Sequence, residues 1–108
     1  MCKKLLIVDD DSYFVNNLIR LFSENDYSIS LADSLERAKN MLSIDNFDLV
    51  LANYCIPGGC TKDLKSFINK TTNLFFMSSV DSHYEKALNT GDNCFHKYNL
   101  TNEIKSVI

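Results

Sequence analysis

Leu5-Leu6-Ile7-Val8 is an unbroken apolar run that stops at Asp9-Asp10-Asp11. A short apolar run closed by charge predicts a buried strand. Phe14, Val15, Leu18, Ile19 and Phe22 then recur at helical spacing, behind Asp11 or Ser12 as N-cap. Tyr27, Ile29 and Leu31 alternate with serines, the period-2 mark of a half-exposed strand. Leu35, Ala38, Met41 and Leu42 give a second helix, capped by Asp33 or Ser34. Phe47 to Ala52 predicts a third strand. Pro57-Gly58-Gly59 breaks the chain, and a short helix is expected around Leu64, Phe67 and Ile68. Leu74 to Met77 is a fourth strand. Tyr84, Ala87 and Leu88 mark a helix ended by Gly91, and Cys94-Phe95-His96 a weaker fifth strand. Leu100, Ile104 and Ile108 start a final helix that stops early or was cut.

Five strand–helix repeats predict an α/β fold: a doubly wound, five-stranded parallel sheet of the flavodoxin-like kind. The 108 residues support one core, so positions 1–108 read as a single domain. A net charge of −3 with scattered lysines argues against nucleic acid recognised by bulk charge. No apolar run is long enough to span a bilayer, and no signal peptide opens the chain. Cytoplasmic placement is expected. Cys2, Cys55, Cys60 and Cys94 form no Cys-x-x-Cys pair, which counts against zinc. Free thiols are the better reading than two disulfides, with Cys94 as a small buried hydrophobe.

Ligands of such sheets bind beyond the carboxyl ends of the strands. There the pattern gathers Asp9, Asp10 and Asp11, then Asn53, Tyr54 and Cys55, then Ser78 and Ser79, and finally Lys97. Adjacent carboxylates repel, and a hard cation such as Mg²⁺ relieves that repulsion. Asp11 is explained by helix capping alone. Ser78 alone would be an ordinary strand-end hydroxyl, and Lys97 alone a solvated lysine. Their convergence is what suggests a site. No glycine-rich phosphate loop follows Val8, which sets aside a flavin- or nucleotide-binding enzyme.

The chain resembles the receiver domain of two-component response regulators. Ile7-Val8-Asp9-Asp10-Asp11 is similar to its acidic opening motif, and Asp48 to Gly58 to the segment around its phosphorylated aspartate. Met77-Ser78-Ser79 stands where the family has Thr or Ser followed by a small residue. Ala87 to Gly91 resembles the approach to its fifth strand, and Lys97 falls on its lysine. The resemblance implies a phosphorelay switch rather than an enzyme. Mg²⁺ would be held by Asp10, position 53 and the Cys55 carbonyl, with Asp9 acting through water. Ser78 and Lys97 would bond the phosphoryl group carried at position 53.

Position 53 is Asn, a neutral amide that cannot form an acyl phosphate and that weakens or abolishes Mg²⁺ binding. Tyr98 follows Lys97 where the family usually has Pro, so a trans bond and a displaced loop are expected there. Cys94 replaces the family's rotating aromatic, and Cys60 and Thr61 replace its Asp and Gly. These departures predict a degenerate receiver that acts as a protein-binding module. The alternative is the N-terminal regulatory domain of a longer output protein. Implied partners are a sensor histidine kinase or a downstream signalling protein, with no nucleic acid or membrane. A homodimer would use the face made by the helix around Tyr84 and the strand Cys94–His96.

Overall fold

The structure is a computed structural model that describes residues 3–104. Cys2 and Ile108 lie outside the described residues. The elements run β1 (Lys3–Val8), α1 (Ser12–Ser23), β2 (Tyr27–Ala32), α2 (Leu35–Ile44), β3 (Leu49–Asn53), β4 (Cys55–Ile56) and β5 (Gly59–Cys60). A 3₁₀ segment (Thr61–Phe67), β6 (Asn73–Ser78), α3 (Asp81–Asn89), β7 (Cys94–His96), a 3₁₀ turn (Lys97–Asn99) and α4 (Leu100–Ile104) follow. Five strands form a parallel sheet in the order β2-β1-β3-β6-β7. This is the doubly wound order that reverses direction beside β1 and β3, where such folds place their ligands.

Alternation along the central strands builds two cores. Leu6, Val8, Val50 and Ala52 face Leu35, Ala38 and Leu42 of α2, Leu64 of the 3₁₀ segment and Ala87 of α3. Leu5, Ile7, Leu49 and Leu51 face Val15, Leu18 and Phe22 of α1 and Ile104 of α4. Both faces of β1 and β3 are covered, which is why those strands read as continuous apolar runs. Edge strand β2 is half-exposed, as its serines predict, but the expected alternation fails at Leu31, which is exposed while Ser30 is half-buried.

The capping residues act as their chemistry dictates. Asp11 accepts from the Tyr13 and Phe14 amides at the start of α1, and Ser34 accepts from the Arg37 amide at the start of α2. Gly91 follows α3 with φ 80°, the left-handed conformation that lets the chain turn into β7.

Two expectations are corrected. The third strand starts at Leu49 rather than Phe47, because the Asp48 backbone N–H turns to the Lys4 carbonyl at the sheet's rim (2.9 Å). The helix expected around Leu64, Phe67 and Ile68 is a 3₁₀ segment that ends before an extended Ile68. Its buried residues are Thr61 and Leu64, three apart, which matches three residues per turn rather than 3.6. Phe67 is 40% exposed instead of buried. The break at Pro57-Gly58-Gly59 is a hairpin, with Cys55 opposite Cys60 and Ile56 opposite Gly59. Gly58 sits at φ 102°, and a Cβ there would come within 3.2 Å of the Leu35 Cβ, so this turn demands glycine.

Phe22 is fully buried between the sheet and α1, whereas Ile44 at the end of α2 is 84% exposed. Phe22→Ala is expected to cost about 3–5 kcal/mol in urea denaturation, and Ile44→Ala no more than about 0.5 kcal/mol.

Candidate functional site

Parallel register brings the carboxyl ends of the strands to one edge. Val8 pairs with Ala32 on one side and Ala52 on the other, Asn53 pairs with Met77, and Ser78 with His96. Asn53 and Ser78 therefore end their strands beside Asp9, the residue after β1, and Lys97 begins the turn after β7.

Asp9 is the electrostatic centre of this edge. Its side chain is fully buried, and Oδ2 accepts from the Lys97 ammonium at 2.8 Å. Oδ1 accepts from the Asp11 backbone N–H at 3.1 Å. The Lys97 Nζ also lies 4.2 Å from the centre of the Phe14 ring, a cation–π contact. Phe14 was legible as a helix-face residue. Its role against Lys97 was not, although it stands one turn after Asp11 on the side of α1 nearest the site. The Lys97–Tyr98 peptide is trans, since no cis bond occurs among the described residues.

Asn53 is half-buried, and its Nδ2 donates to the Cys55 carbonyl at 3.0 Å. The loop that carries this contact is pinned from below. Thr61 is fully buried, and its hydroxyl lies 2.8 Å from the Asn53 carbonyl and 3.2 Å from that of Tyr54. The Thr61 N–H donates to the Tyr54 carbonyl (3.0 Å), and the Leu35 N–H donates to the Pro57 carbonyl (3.1 Å). In the sequence Thr61 stands out only as a replacement. A hydroxyl just after a Pro-Gly-Gly turn, at a buried position, was the available signal.

Ser78 is buried and spends its hydroxyl locally, accepting from the Val80 N–H (3.0 Å) and reaching the Val80 carbonyl (3.1 Å). Asp10 is exposed, in a shallow cleft with Asp9, Asp33 and Arg37. Tyr54 is buried, and burial followed by the neighbouring Cys60 pushes its phenol above the ordinary range. Its ring meets Phe76 edge-on at 5.7 Å and His83 at 5.5 Å.

Mg²⁺ demands near-octahedral oxygen ligands. The residues here do not fit that demand as arranged. Asp9 is committed to Lys97 and to the Asp11 amide, and the Cys55 carbonyl is committed to the Asn53 amide. Asp10 is the one carboxylate of the expected set that faces solvent. Among the described residues, no group of three or more His, Cys, Asp or Glu side chains is placed to hold a metal. No helix among them is long and apolar enough to cross a membrane.

Solved structures share this architecture. The response regulator protein TrrA from Thermotoga maritima, solved in complex with Mg²⁺ and BeF, matches with a TM-score of 0.78. Identity is 23%, over 98% of this chain and 99% of that one. The fold is that of the receiver domains. A CheY-like receiver domain from Methylobacillus flagellatus gives the same TM-score of 0.78 at 17% identity, with both chains fully covered. In sequence, the receiver-fold chain is 29% identical over 92 residues to ARR21 of Arabidopsis thaliana, whose name describes a two-component response regulator. That match covers 81% of this chain and 15% of the relative. No family model matches the chain.

Removing Lys97 would strand a buried carboxylate, so Lys97→Met is expected to cost about 3 kcal/mol or more. Asp9→Asn together with Lys97→Met should cost less than Lys97→Met alone, because no uncompensated charge remains. A double-mutant cycle by urea denaturation measures the coupling, and independent, additive effects would show that the pair is not coupled.

Proposed function

We propose that this chain is a receiver domain of a two-component phosphorelay whose phosphoacceptor position is Asn53, and that it serves as a protein-binding regulatory module rather than an enzyme. The observation that carries this reading is the Asn53 amide donating to the Cys55 carbonyl. An aspartate carboxylate has no hydrogen to donate there. It would leave the carbonyl open to a cation and present an oxygen nucleophile. The amide does neither, and its neutrality removes one negative charge from beside Asp9 and Asp10.

In this reading Asp9 and Lys97 keep their structural partnership, and Ser78 keeps its strand-end turn. None of them receives a phosphoryl group. Cytoplasmic placement and a histidine kinase or downstream signalling protein as partner follow from the same reading. The docking face would be α3 and β7. There His96 meets Asp81 at 2.7 Å and packs edge-on against Tyr84 at 5.4 Å, beside half-exposed Val80 and Leu88. A second copy of the chain could use the same face.

A second reading is favoured by one observation. The chain spans 15% of the curated relative that it matches, as a regulatory domain within a larger output protein would.

Incubation with Mg²⁺ and acetyl phosphate is expected to leave the intact mass unchanged. A stoichiometric phosphoryl gain at residue 53 would overturn the reading. Asn53→Asp should bind Mg²⁺ several-fold more tightly than the parent and take up phosphate or beryllofluoride. An added unit charge at 4 Å is worth roughly 4 kcal/mol at an effective dielectric of about 20, and a quarter of that surviving desolvation suffices. Tyr54 adjoins the site, so tyrosine fluorescence reads the titration. Equal Mg²⁺ affinity in both proteins would show that the Asn53 amide is not what keeps the cation out.

A further inference from the structure

Cys55 and Cys60 stand directly opposite each other on β4 and β5. The pair on either side of them is hydrogen-bonded: the Thr61 N–H reaches the Tyr54 carbonyl, and Ile56 pairs with Gly59 next to the turn. Cys55 and Cys60 are thus a non-hydrogen-bonded pair, the kind in which opposite Cα atoms come to about 4.5 Å and side chains are closest. A disulfide spans Cα separations of about 4.4–6.8 Å, so this register accepts one without moving the strands.

Facing is also correct. Tyr54, Ile56 and Thr61 are buried, and Cys55 and Cys60 share the other face of the ribbon, where Cys55 reaches solvent and Cys60 packs against the core beside the Tyr54 phenol. Cys55 is exposed and Cys60 half-buried, and both are free thiols. Cys60 is close enough to Cys55 for its charge to bear on the Cys55 thiol. Cys94 is unlike them. It is buried under the sheet's edge, and burial pushes its thiol up to about 11.

We propose that Cys55 and Cys60 form a reversible dithiol–disulfide site, oxidised by small disulfides of the glutathione class. The Cys55 thiolate attacks one sulfur of the small disulfide and expels one small thiolate, which gives a mixed disulfide. The Cys60 thiolate then attacks the Cys55 sulfur and releases the second. Two protein thiols and one small disulfide become one protein disulfide and two small thiols, with no other co-reactant. The product staples the hairpin whose first residue carries the carbonyl bonded by Asn53. This inference needs only the hairpin, and it stands or falls apart from the phosphorelay reading. Burial and the facing Cys60 hold the Cys55 thiol above its ordinary range, so exchange is slow and equilibrium is the proper readout.

The sequence supplies a direct assay. Trypsin cuts after Lys39 and Lys62, and the peptide Asn40–Lys62 contains Cys55 and Cys60 and no other cysteine. The reduced protein is equilibrated in glutathione buffers of rising oxidised-to-reduced ratio, acid-quenched, alkylated and digested. The peptide is expected to escape alkylation at both cysteines together and to be lighter by two hydrogens, with little glutathione attached. Cys60→Ser, which has no second thiol, should hold glutathione on Cys55 at an occupancy at least tenfold above the parent's. The parent carrying a stable adduct on Cys55 to the same extent as Cys60→Ser would overturn the proposal. So would a disulfide from Cys55 to Cys2 or Cys94. The parent's peptide mass decides the pairing even if the variant fails to fold.

Discussion

A carboxylate with no solvent access must be neutralised, and at the head of this sheet the Lys97 ammonium neutralises Asp9. The two residues are 88 positions apart, at the ends of the first and last strands of the parallel sheet. Leaving either one alone in the interior costs several kcal/mol, so the pair ties the register of β7 to that of β1. Phe14 closes the third side with its ring face. The Asp11 amide takes the remaining Asp9 oxygen and at the same time positions Asp11 to cap α1. One charge pair thereby links a strand end, a helix start and the last crossover. It also consumes the strongest charges that a ligand at this edge could have used.

What remains at the edge is chemically quiet. Asn53 and the Cys55 carbonyl satisfy each other, and Ser78 satisfies its own turn. Internal hydrogen bonds occupy the polar groups that the strand ends gather there. The hairpin behind Asn53 is held by Thr61, by the Leu35–Pro57 bond and by a glycine that α2 leaves no room to replace. Cys55 and Cys60 pair across it, the part of the loop still open to covalent change.

Most of the fold was legible because apolar runs and helical spacing report burial directly. Leu5–Val8 and Val50–Ala52 are buried on both faces of the sheet, and the sequence marks such strands without ambiguity. Asp11 and Gly91 were legible as punctuation, since capping is local chemistry. The 3₁₀ segment was not, because Thr61 and Leu64 give too few buried positions to separate a period of 3 from 3.6. The Cys55–Cys60 pairing was hidden because two-residue strands carry no periodicity. The site's residue types were readable one by one, but their bonding was not. Whether Lys97 faces Asp9 or solvent, and whether Asn53 turns to the Cys55 carbonyl, depends on contacts made across the whole sheet.

The central claim is that the Asn53 amide and the Asp9–Lys97 pair satisfy this edge internally. The most direct measurement is a Mg²⁺ titration of the unmodified protein, followed in two-dimensional nitrogen–proton NMR spectra. The account predicts small, unsaturated shifts around exposed Asp10, with the Asn53 side-chain amide and the Cys55 backbone amide unmoved. Saturable displacement of the Asn53 side-chain resonances at micromolar Mg²⁺ would contradict it.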